Sequence, residues 1–291
     1  MKALLFIETK EGSPIGASRE LFTAAETLGA EAAGVCVENN SGLLDEDVVT
    51  QTIAKKAGEC GADVVLLAAT TLGKLTAPRI AARLGGGSVN DAIAVKAEDG
   101  AVIVTRPVFG GTAQENLKVL ASPAVISIRG GSYPAPEEIP EIEKLEGAAD
   151  VQTKILEKIE EGGEDVNIED ASVVVSGGRG MGTEEDFQLC AQLAEALGGV
   201  VGTTRPVIES GWISRTHQVG QSGKIVTPDL YIAAGISGAT QHLSGMTGSK
   251  YIIAINKDED AAIFSVADIG IVGDAKAILP LMIEEVKKRK A

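Results

Sequence analysis

Short apolar segments alternate with amphipathic segments along the first 130 residues. The apolar segments have the length and aliphatic content of buried β-strands, and they are Lys2–Glu8, Ala32–Val37, Asp63–Ala69 and Ala124–Ile128. The amphipathic segments between them predict helices at Ser18–Leu28, Asp47–Cys60 and Pro78–Leu84. This alternation predicts a mostly parallel sheet covered by helices.

Two local signals refine this first half. Pro78 suits the start of a helix, and Gly85–Gly87 suit its end. The strand-like segments Ala92–Val95 and Ala101–Thr105 flank Glu98–Gly100, a sequence typical of a tight turn. They therefore predict a β-hairpin.

The middle of the chain changes in character. Glycine and proline residues lie among many acidic ones, and residues 137–170 hold 13 Asp or Glu but only 3 Lys. We interpret residues 132–170 as a solvated acidic connector between an N-terminal domain, residues 1–165, and a C-terminal domain, residues 166–291. Gln152–Ile159 fits either a helix or a strand.

A second α/β pattern follows the connector. Five short strands are predicted, at Ser172–Val175, Val200–Val201, Leu230–Ala234, Tyr251–Ile255 and Ile269–Val272. Thr183 caps a helix that ends at Leu197, with Asp186 three residues after the cap, and a last helix covers Lys276–Lys290. The predicted fold class is α/β with two domains, each a mostly parallel sheet flanked by helices, and the C-terminal one is Rossmann-like.

Each strand of this second pattern ends in glycine or polar residues. These residues are Gly177-Gly178-Arg179-Gly180, Thr204-Arg205, Gly235 with Ser237, Asn256 and Asp274. Because the carboxyl ends of parallel strands line one crevice, we expect them to converge there. Glycine-rich turns that lead into helices offer N–H groups to anions, and Arg179 adds positive charge, which together favour a diphosphate. The turn SGGRGMG is not the full dinucleotide fingerprint, so a merely tight connection stays open.

The polar segment Gln218–Lys224 is either a hairpin loop or a loop that lies along a planar heterocycle. His242 stands at a helix start facing the expected crevice, which favours function over a structural role. His217 is interpreted as a surface residue, whereas the sequence does not decide between core and rim for Trp212. No catalytic set is present: nucleophile elbow, zinc-protease motif and Walker lysine are all missing.

Composition and charge narrow the function classes. A net charge of −15 disfavours nucleic acid and anionic membrane surfaces as partners. Cys36, Cys60 and Cys190 fit no metal or disulfide pattern. No apolar run reaches the ~20 residues of a membrane helix, and no signal peptide is recognisable. We therefore expect a protein without membrane insertion, in the cytoplasm or an organelle matrix.

Several motifs in order resemble the α subunits of electron-transfer flavoproteins. The segment Leu230–Leu243 (LYIAAGISGATQHL) is similar to the signature of that family, and Ile255–Asp258 follows at the familiar distance. Four further matches are VVVSGGRG, TTRP, QVGQSGKIV and VADIGIVGD, and the N-terminal half contributes TAPRIAARLG and RPVFGG. The resemblance covers nearly the whole chain and implies FAD bound by the C-terminal domain.

The resemblance also implies roles for single residues. It places Arg179 beside the FAD phosphates and ribityl chain, Thr204 and Arg205 at the flavin ring, and Asn256 and Asp274 at the adenosine end. The residues around the isoalloxazine and ribityl chain would be Gln218, Val219, Gly220, Gln221 and Ser222. Those at the pyrimidine side and the diphosphate would be Ser237, Gly238, Ala239, Gln241 and His242. Among all of these, Arg205, Ser222 and His242 would tune the redox potential of the flavin.

The function that the resemblance implies is electron carriage without substrate chemistry of its own. Such a subunit pairs with a β subunit that holds AMP or a second FAD, here through the N-terminal domain. It accepts electrons from dehydrogenases and passes them to a quinone reductase or another acceptor, including a bifurcating complex. Two alternatives stay open: an FAD- or NAD-dependent oxidoreductase with its own small substrate, and a nucleotide-binding module without redox chemistry.

Overall fold

The computed structural model describes residues 1–39, 45–111, 113–148, 151, 153–157 and 168–290. The chain forms two compact units, Met1–Glu160 and Glu161–Ala291. No helix in the described ranges is both long and apolar enough to span a bilayer.

The N-terminal unit contains three helices and eleven strands in the described residues. The helices are α1 (Gly16–Thr27), α2 (Asp45–Cys60) and α3 (Thr71–Leu84). The strands are β1 (Lys2–Phe6), β2 (Thr9–Lys10), β3 (Ser13–Pro14), β4 (Glu31–Glu38), β5 (Val64–Ala68), β6 (Gly87–Ala92), β7 (Ala94–Glu98), β8 (Ala101–Val108), β9 (Ala113–Val119), β10 (Ala124–Ile128) and β11 (Glu143–Glu146).

Six of these strands form one parallel sheet in the order β11-β4-β1-β5-β10-β6. The four strands predicted from apolar segments are its centre, and β5 and β10 are buried along their whole length. One apolar cluster on each face fills the space beneath the helices. The prediction of a parallel sheet flanked by helices is confirmed for this unit.

A separate antiparallel sheet of β7, β8 and β9 follows β6. The predicted hairpin is confirmed: β7 pairs with β8 across Asp99 and Gly100, which both have left-handed backbone angles, φ 50° and 75°. Ala92, predicted as the start of the hairpin, instead ends β6 of the parallel sheet. The third strand β9 is polar at most positions, so no apolar pattern predicts it.

The start of α3 differs from the prediction. The helix begins at Thr71, and Thr70 caps it by accepting a hydrogen bond from the N–H of Gly73 at 3.0 Å. Pro78 therefore lies inside the helix, where it leaves the carbonyl of Lys74 without its helical donor. The side chain of Asn90 donates to that carbonyl at 2.9 Å. This contact from β6 explains why proline is tolerated there.

Part of the segment 132–170, predicted as a connector, is a strand. β11 pairs in parallel with β4 at the edge of the sheet. Leu145 packs against the core, while Glu143 binds Lys56 at 2.6 Å and Lys144 binds Glu38 at 3.1 Å. The charges are thus paired across the edge, an arrangement that the local sequence does not reveal. Most of the ambiguous segment Gln152–Ile159 lies outside the described residues.

The C-terminal unit contains five strands and four helices in its described residues. The strands are β12 (Val173–Gly177), β13 (Val200–Thr203), β14 (Leu230–Ala234), β15 (Tyr251–Asn256) and β16 (Ile269–Val272). The helices are α4 (Glu184–Leu197), α5 (Arg205–Glu209), α6 (Thr240–Leu243) and α7 (Ala275–Lys290).

All five strands are parallel, in the order β13-β12-β14-β15-β16. The prediction of an α/β unit with a parallel sheet is confirmed, and its strand order is the flavodoxin-like one rather than that of dinucleotide-binding Rossmann domains. Thr183 caps α4 as predicted, accepting from the N–H of Asp186 at 3.1 Å. Helices α4 and α7 cover one face, whereas the loops around Val219, Ile236 and Ile263 cover the other.

Candidate functional site

The turns at the carboxyl edge of the C-terminal sheet are tied to one another. The strand order reverses between β12 and β14, and ligands of doubly wound sheets bind at such a switch point. Backbone hydrogen bonds of 2.9–3.4 Å join the turns from donor to acceptor: Thr204 to Gly177, Gly178 to Ala234, Gly180 to Gly235, Gly235 to Ile255, and Gly273 to Asn256. The expected convergence of the five strand ends is therefore found, and it forms one continuous rim.

Glycine is required where two of these turns meet. A β-carbon on Gly178 would lie 2.3 Å from the carbonyl oxygen of Gly235, and Gly235 itself has a left-handed φ of 63°. Side chains at either position would push the turns apart. Their absence lets the two turns pack closely against each other, with Gly178 buried and Gly235 half-buried.

The segment Gln218–Lys224 is a loop between α5 and β14, and its backbone is hydrogen-bonded to β13 and α6. The N–H of Val219 donates to Thr203 at 2.9 Å, and the N–H of Gln221 donates to the carbonyl of Gln241 at 2.7 Å. Gln218, Val219 and Gly220 are buried, while Gln221 and Ser222 are exposed. The Gln218 side chain donates to Ser222 Oγ at 2.9 Å, which fixes that hydroxyl on the exposed side of the loop.

Several predicted residues are exposed along the rim and free to face a ligand. They are Arg179, Gly180, Arg205, Gln221, Ser222, Ser237, Ala239 and Gln241. Thr204 is buried just behind them, at the start of α5. Arg205 forms an ion pair with Glu209 one turn later, at 2.9 Å, and both side chains are more than half exposed. A pair so open to water is weak, so it leaves the guanidinium available for a stronger partner.

His242 is buried, and both of its ring nitrogens have protein partners. Nε2 lies 2.9 Å from the hydroxyl of Tyr231, and Nδ1 lies 3.1 Å from the carbonyl oxygen of Val219. Burial lowers the pKa of the imidazole to about 4, so the ring is neutral at pH 7. Neither partner is predicted by the sequence pattern, and a direct hydrogen bond from His242 to a ligand would require one of them to be released.

Asn256 and Asp274 already have structural roles. Asn256 Nδ2 donates to the carbonyl of Ile236 at 2.8 Å, which holds the turn after β14. Asp274 precedes α7, accepts from the N–H of Lys276 at 3.1 Å and pairs with Lys257 at 3.0 Å. The hydrogen bond from Lys257 lowers the pKa of the Asp274 carboxyl. Each side chain retains acceptor or donor capacity towards the rim.

The structure corrects the interpretation of His217 and decides the position of Trp212, which the sequence left open between core and rim. His217 is not a free surface residue, because its Nδ1 lies 2.8 Å from the carbonyl oxygen of Val201. Trp212 belongs to the core side: it packs against the cluster beneath α4 and meets the ring of Phe187 at 6.2 Å. Tyr231 was not among the predicted site residues. The one signal for it in the sequence is a tyrosine within the otherwise aliphatic strand β14.

The residues at this rim fit a dinucleotide. Two exposed arginines, close glycine turns and a loop with exposed amide and hydroxyl groups provide donors for phosphates and for the polar edge of a ring. Within the described residues, no cluster of three or more His, Cys, Asp or Glu side chains could hold a metal ion.

Comparisons with known proteins agree with this geometry. The family model described as the electron transfer flavoprotein FAD-binding domain matches residues 167–247, and the electron transfer flavoprotein domain matches residues 12–154. The electron transfer flavoprotein subunit alpha of Thermoanaerobacterium thermosaccharolyticum is 36% identical over 98% of both chains. The corresponding subunit of Megasphaera elsdenii is 45% identical over 78% of this chain and 71% of its own. Protein FixB of Clostridium saccharobutylicum is 41% identical over 87% and 79%.

The family models and the relatives match enough of the chain to assign it to a protein family. The two models together cover most of the chain, and the relative from Thermoanaerobacterium thermosaccharolyticum aligns with it nearly from end to end. The chain therefore belongs to the electron-transfer flavoprotein family, in the branch of its α subunits.

Proposed function

We propose that the chain carries electrons on FAD held along the carboxyl edge of the C-terminal sheet. The observation that carries this proposal is the tied rim of five strand turns within the region matched by the FAD-binding family model. When bound, FAD supplies the electron and hydride chemistry, while the protein supplies binding, orientation and electrostatics.

Each part of the rim has a role in this proposal. Arg179 and the turns of Gly180 and Gly235 hold the diphosphate, with Ser237, Gly238 and Gln241 beside them. Thr204, Arg205 and the loop from Gln218 to Ser222 hold the flavin ring and ribityl chain. Asn256 and Asp274 hold the adenosine end. Arg205 favours added negative charge on the ring, because a guanidinium stays protonated at any working pH.

The rim supports carriage rather than substrate turnover. His242 is neutral with both nitrogens engaged, so it has no free site for general acid–base work in the described structure. Burial raises the pKa of Cys190 to about 12, which removes it as a thiolate nucleophile. The groups at the rim bind and orient a ligand, and none is set up to move a proton to a substrate.

The partners follow from the same proposal. We assign the predicted N-terminal domain, residues 1–165, to contact with a β subunit that holds AMP or a second FAD. The complex accepts electrons from dehydrogenases and passes them to a quinone reductase or a bifurcating partner. The cytoplasm or an organelle matrix stays the predicted location.

Co-purification with a β subunit tests the proposal. We expect one FAD per chain in the complex, with AMP or a second FAD accounted for by the β subunit. Residues 1–160 expressed alone should contain no FAD. A complex without flavin absorbance would favour the nucleotide-binding alternative, whereas turnover of a small substrate by the chain alone would favour the oxidoreductase.

A further inference from the structure

Tyr231 is a buried polar residue that the proposed site does not use. It lies on β14, in the segment LYIAA, and its side chain has no exposed surface. A phenol is normally kept in a core only where its hydroxyl has a hydrogen-bond partner. Here that partner is His242 Nε2, at 2.9 Å.

The direction of this hydrogen bond follows from the other side of the imidazole. Nδ1 lies 3.1 Å from the carbonyl oxygen of Val219, which can only accept, so Nδ1 carries a proton. Burial lowers the pKa of His242 to about 4 and raises the pKa of Tyr231, so both groups are neutral at pH 7. A neutral imidazole has one N–H, and Nε2 is therefore the acceptor of the Tyr231 hydroxyl.

The imidazole that accepts this bond also contacts the loop Gln218–Lys224, through the carbonyl of Val219. The carbonyl of Val219 lies between two backbone hydrogen bonds of the same loop. In these the N–H of Val219 donates to the carbonyl of Thr203, and the N–H of Gln221 donates to the carbonyl of Gln241. If Nδ1 lost its proton, two acceptors would face each other at 3.1 Å in a buried site, which is costly. The conformation of the loop therefore depends on the tautomer of His242.

Ser176 provides a further contact on the same face of the sheet. In the pairing of β12 with β14, Val174 lies opposite Tyr231 and Ser176 opposite Ala233, so Ser176 is a diagonal neighbour of the phenol. Its hydroxyl is buried and has no hydrogen bond of ordinary geometry to any described residue. Burial dominates the raised pKa of Tyr231, and the neighbouring Ser176 hydroxyl acts against that rise.

We propose that Tyr231 is a positioning residue: it donates to His242 Nε2, fixes the Nδ1–H tautomer, and so holds the loop Gln218–Lys224 in the shape that binds the flavin end of the cofactor. The proposal rests on the proposed function for its last step only. The tautomer and its dependence on Tyr231 are properties of the chain itself.

The experiment uses the intact chain labelled with ¹⁵N-histidine. The chain has two histidines, His217 and His242. Long-range ¹H–¹⁵N spectra give the protonation of each ring nitrogen, and a His217→Gln variant assigns the signals. We expect His242 to carry its proton on Nδ1 in the parent protein. In Tyr231→Phe, where Nε2 no longer accepts from the phenol, a fraction of His242 should carry its proton on Nε2 instead of Nδ1, and the Kd for FAD should rise about three- to tenfold, as for one lost hydrogen bond.

Tyr133→Phe is the matched control. The Tyr133 hydroxyl accepts from the N–H of Val95 at 2.8 Å in the N-terminal unit, so this variant also loses one hydroxyl contact. It should leave the His242 signals and the FAD affinity unchanged. Ser176→Ala should shift the His242 signals in the same direction as Tyr231→Phe, but less.

The outcomes separate the two levels of the proposal. A proton on Nε2 in the parent protein, or unchanged His242 signals in Tyr231→Phe, overturns it, and the parent spectrum decides the first point even if the variant does not fold. Shifted signals with unchanged FAD affinity refute the role in cofactor binding. A parent chain that binds no FAD refutes the proposed function, while the histidine signals still decide the role of Tyr231.

Discussion

Replacement of Arg205 by alanine removes an exposed guanidinium at the start of α5, on the rim where the flavin ring is proposed to lie. The side chain is 68% exposed and pairs with Glu209 at 2.9 Å. In the proposed complex, Arg205 would lie beside the flavin ring and would stabilise negative charge on it through a charge-assisted contact. The change should therefore lower the potential at which the cofactor accepts its first electron.

The magnitude follows from two opposing contributions. A hydrogen bond to a charged group contributes about 1.5–3 kcal/mol. Loosening the exposed ion pair with Glu209 offsets about 0.3–0.5 kcal/mol of this. The remainder is about 1–2.5 kcal/mol, and with about 59 mV for each tenfold change in a one-electron equilibrium it corresponds to a decrease of about 40–110 mV. Arg205→Lys should fall between parent and alanine variant, because it keeps the charge but loses the planar fork.

The assay is a reductive titration of the FAD-loaded protein, followed by its absorbance spectrum. Arg289→Ala is the matched control, since Arg289 forms the same type of helical pair with Glu285, at 2.7 Å. It lies about 20 Å along α7 from the carboxyl edge, beyond the range of screened charges, so its potential should change by less than ~10 mV. If Arg205→Ala binds FAD fully and its potential matches that of the control, the electrostatic role of Arg205 is wrong.

Two further predictions concern the fold of the site and its pH dependence. Gly178→Ala places a methyl group 2.3 Å from the carbonyl oxygen of Gly235, so the variant should lose FAD binding and, in urea titrations, more than ~2 kcal/mol of the free energy of unfolding. The control is Gly198→Ala, whose methyl group meets nothing within 4 Å; its φ of 75° should cost only about 1 kcal/mol. His242, with its pKa lowered from 6.5 to about 4, takes up a proton more readily when unfolded, so its contribution to stability is present above about pH 6.5 and is lost as the pH falls towards 4. We expect a loss of about 3 kcal/mol across that range in the parent protein and in His217→Gln, but not in His242→Gln, and an equal slope in His242→Gln would contradict this assignment.

The local pattern of the chain carries much of the fold. The short segments that form β5 and β10 are apolar throughout, as is typical of strands that are buried on both faces of a sheet. Their alternation with helices predicts a parallel sheet. Thr183 and Gly198 bound α4 as capping rules require. The rim was also predictable, because parallel strands must end at one edge whatever their order.

Long-range contacts decided the rest. β11 is a strand because Leu145 reaches the core and its charges pair with Lys56 and Glu38, although the isolated sequence EKLE favours no strand. Helix α3 continues through Pro78 because Asn90 serves the carbonyl that proline leaves without a donor. Neither contact leaves a signal in the neighbouring sequence.

The same distinction holds at the site. The order of residues from Leu230 to Leu243 identifies the family, and with it the cofactor. That Tyr231 and His242 form a neutral buried pair, and that this pair holds Val219, depends on three segments that meet only in the folded chain. Residue types and their spacing specify what a rim can bind, whereas hydrogen-bond partners, tautomers and pKa values arise from distances and burial that exist only after folding.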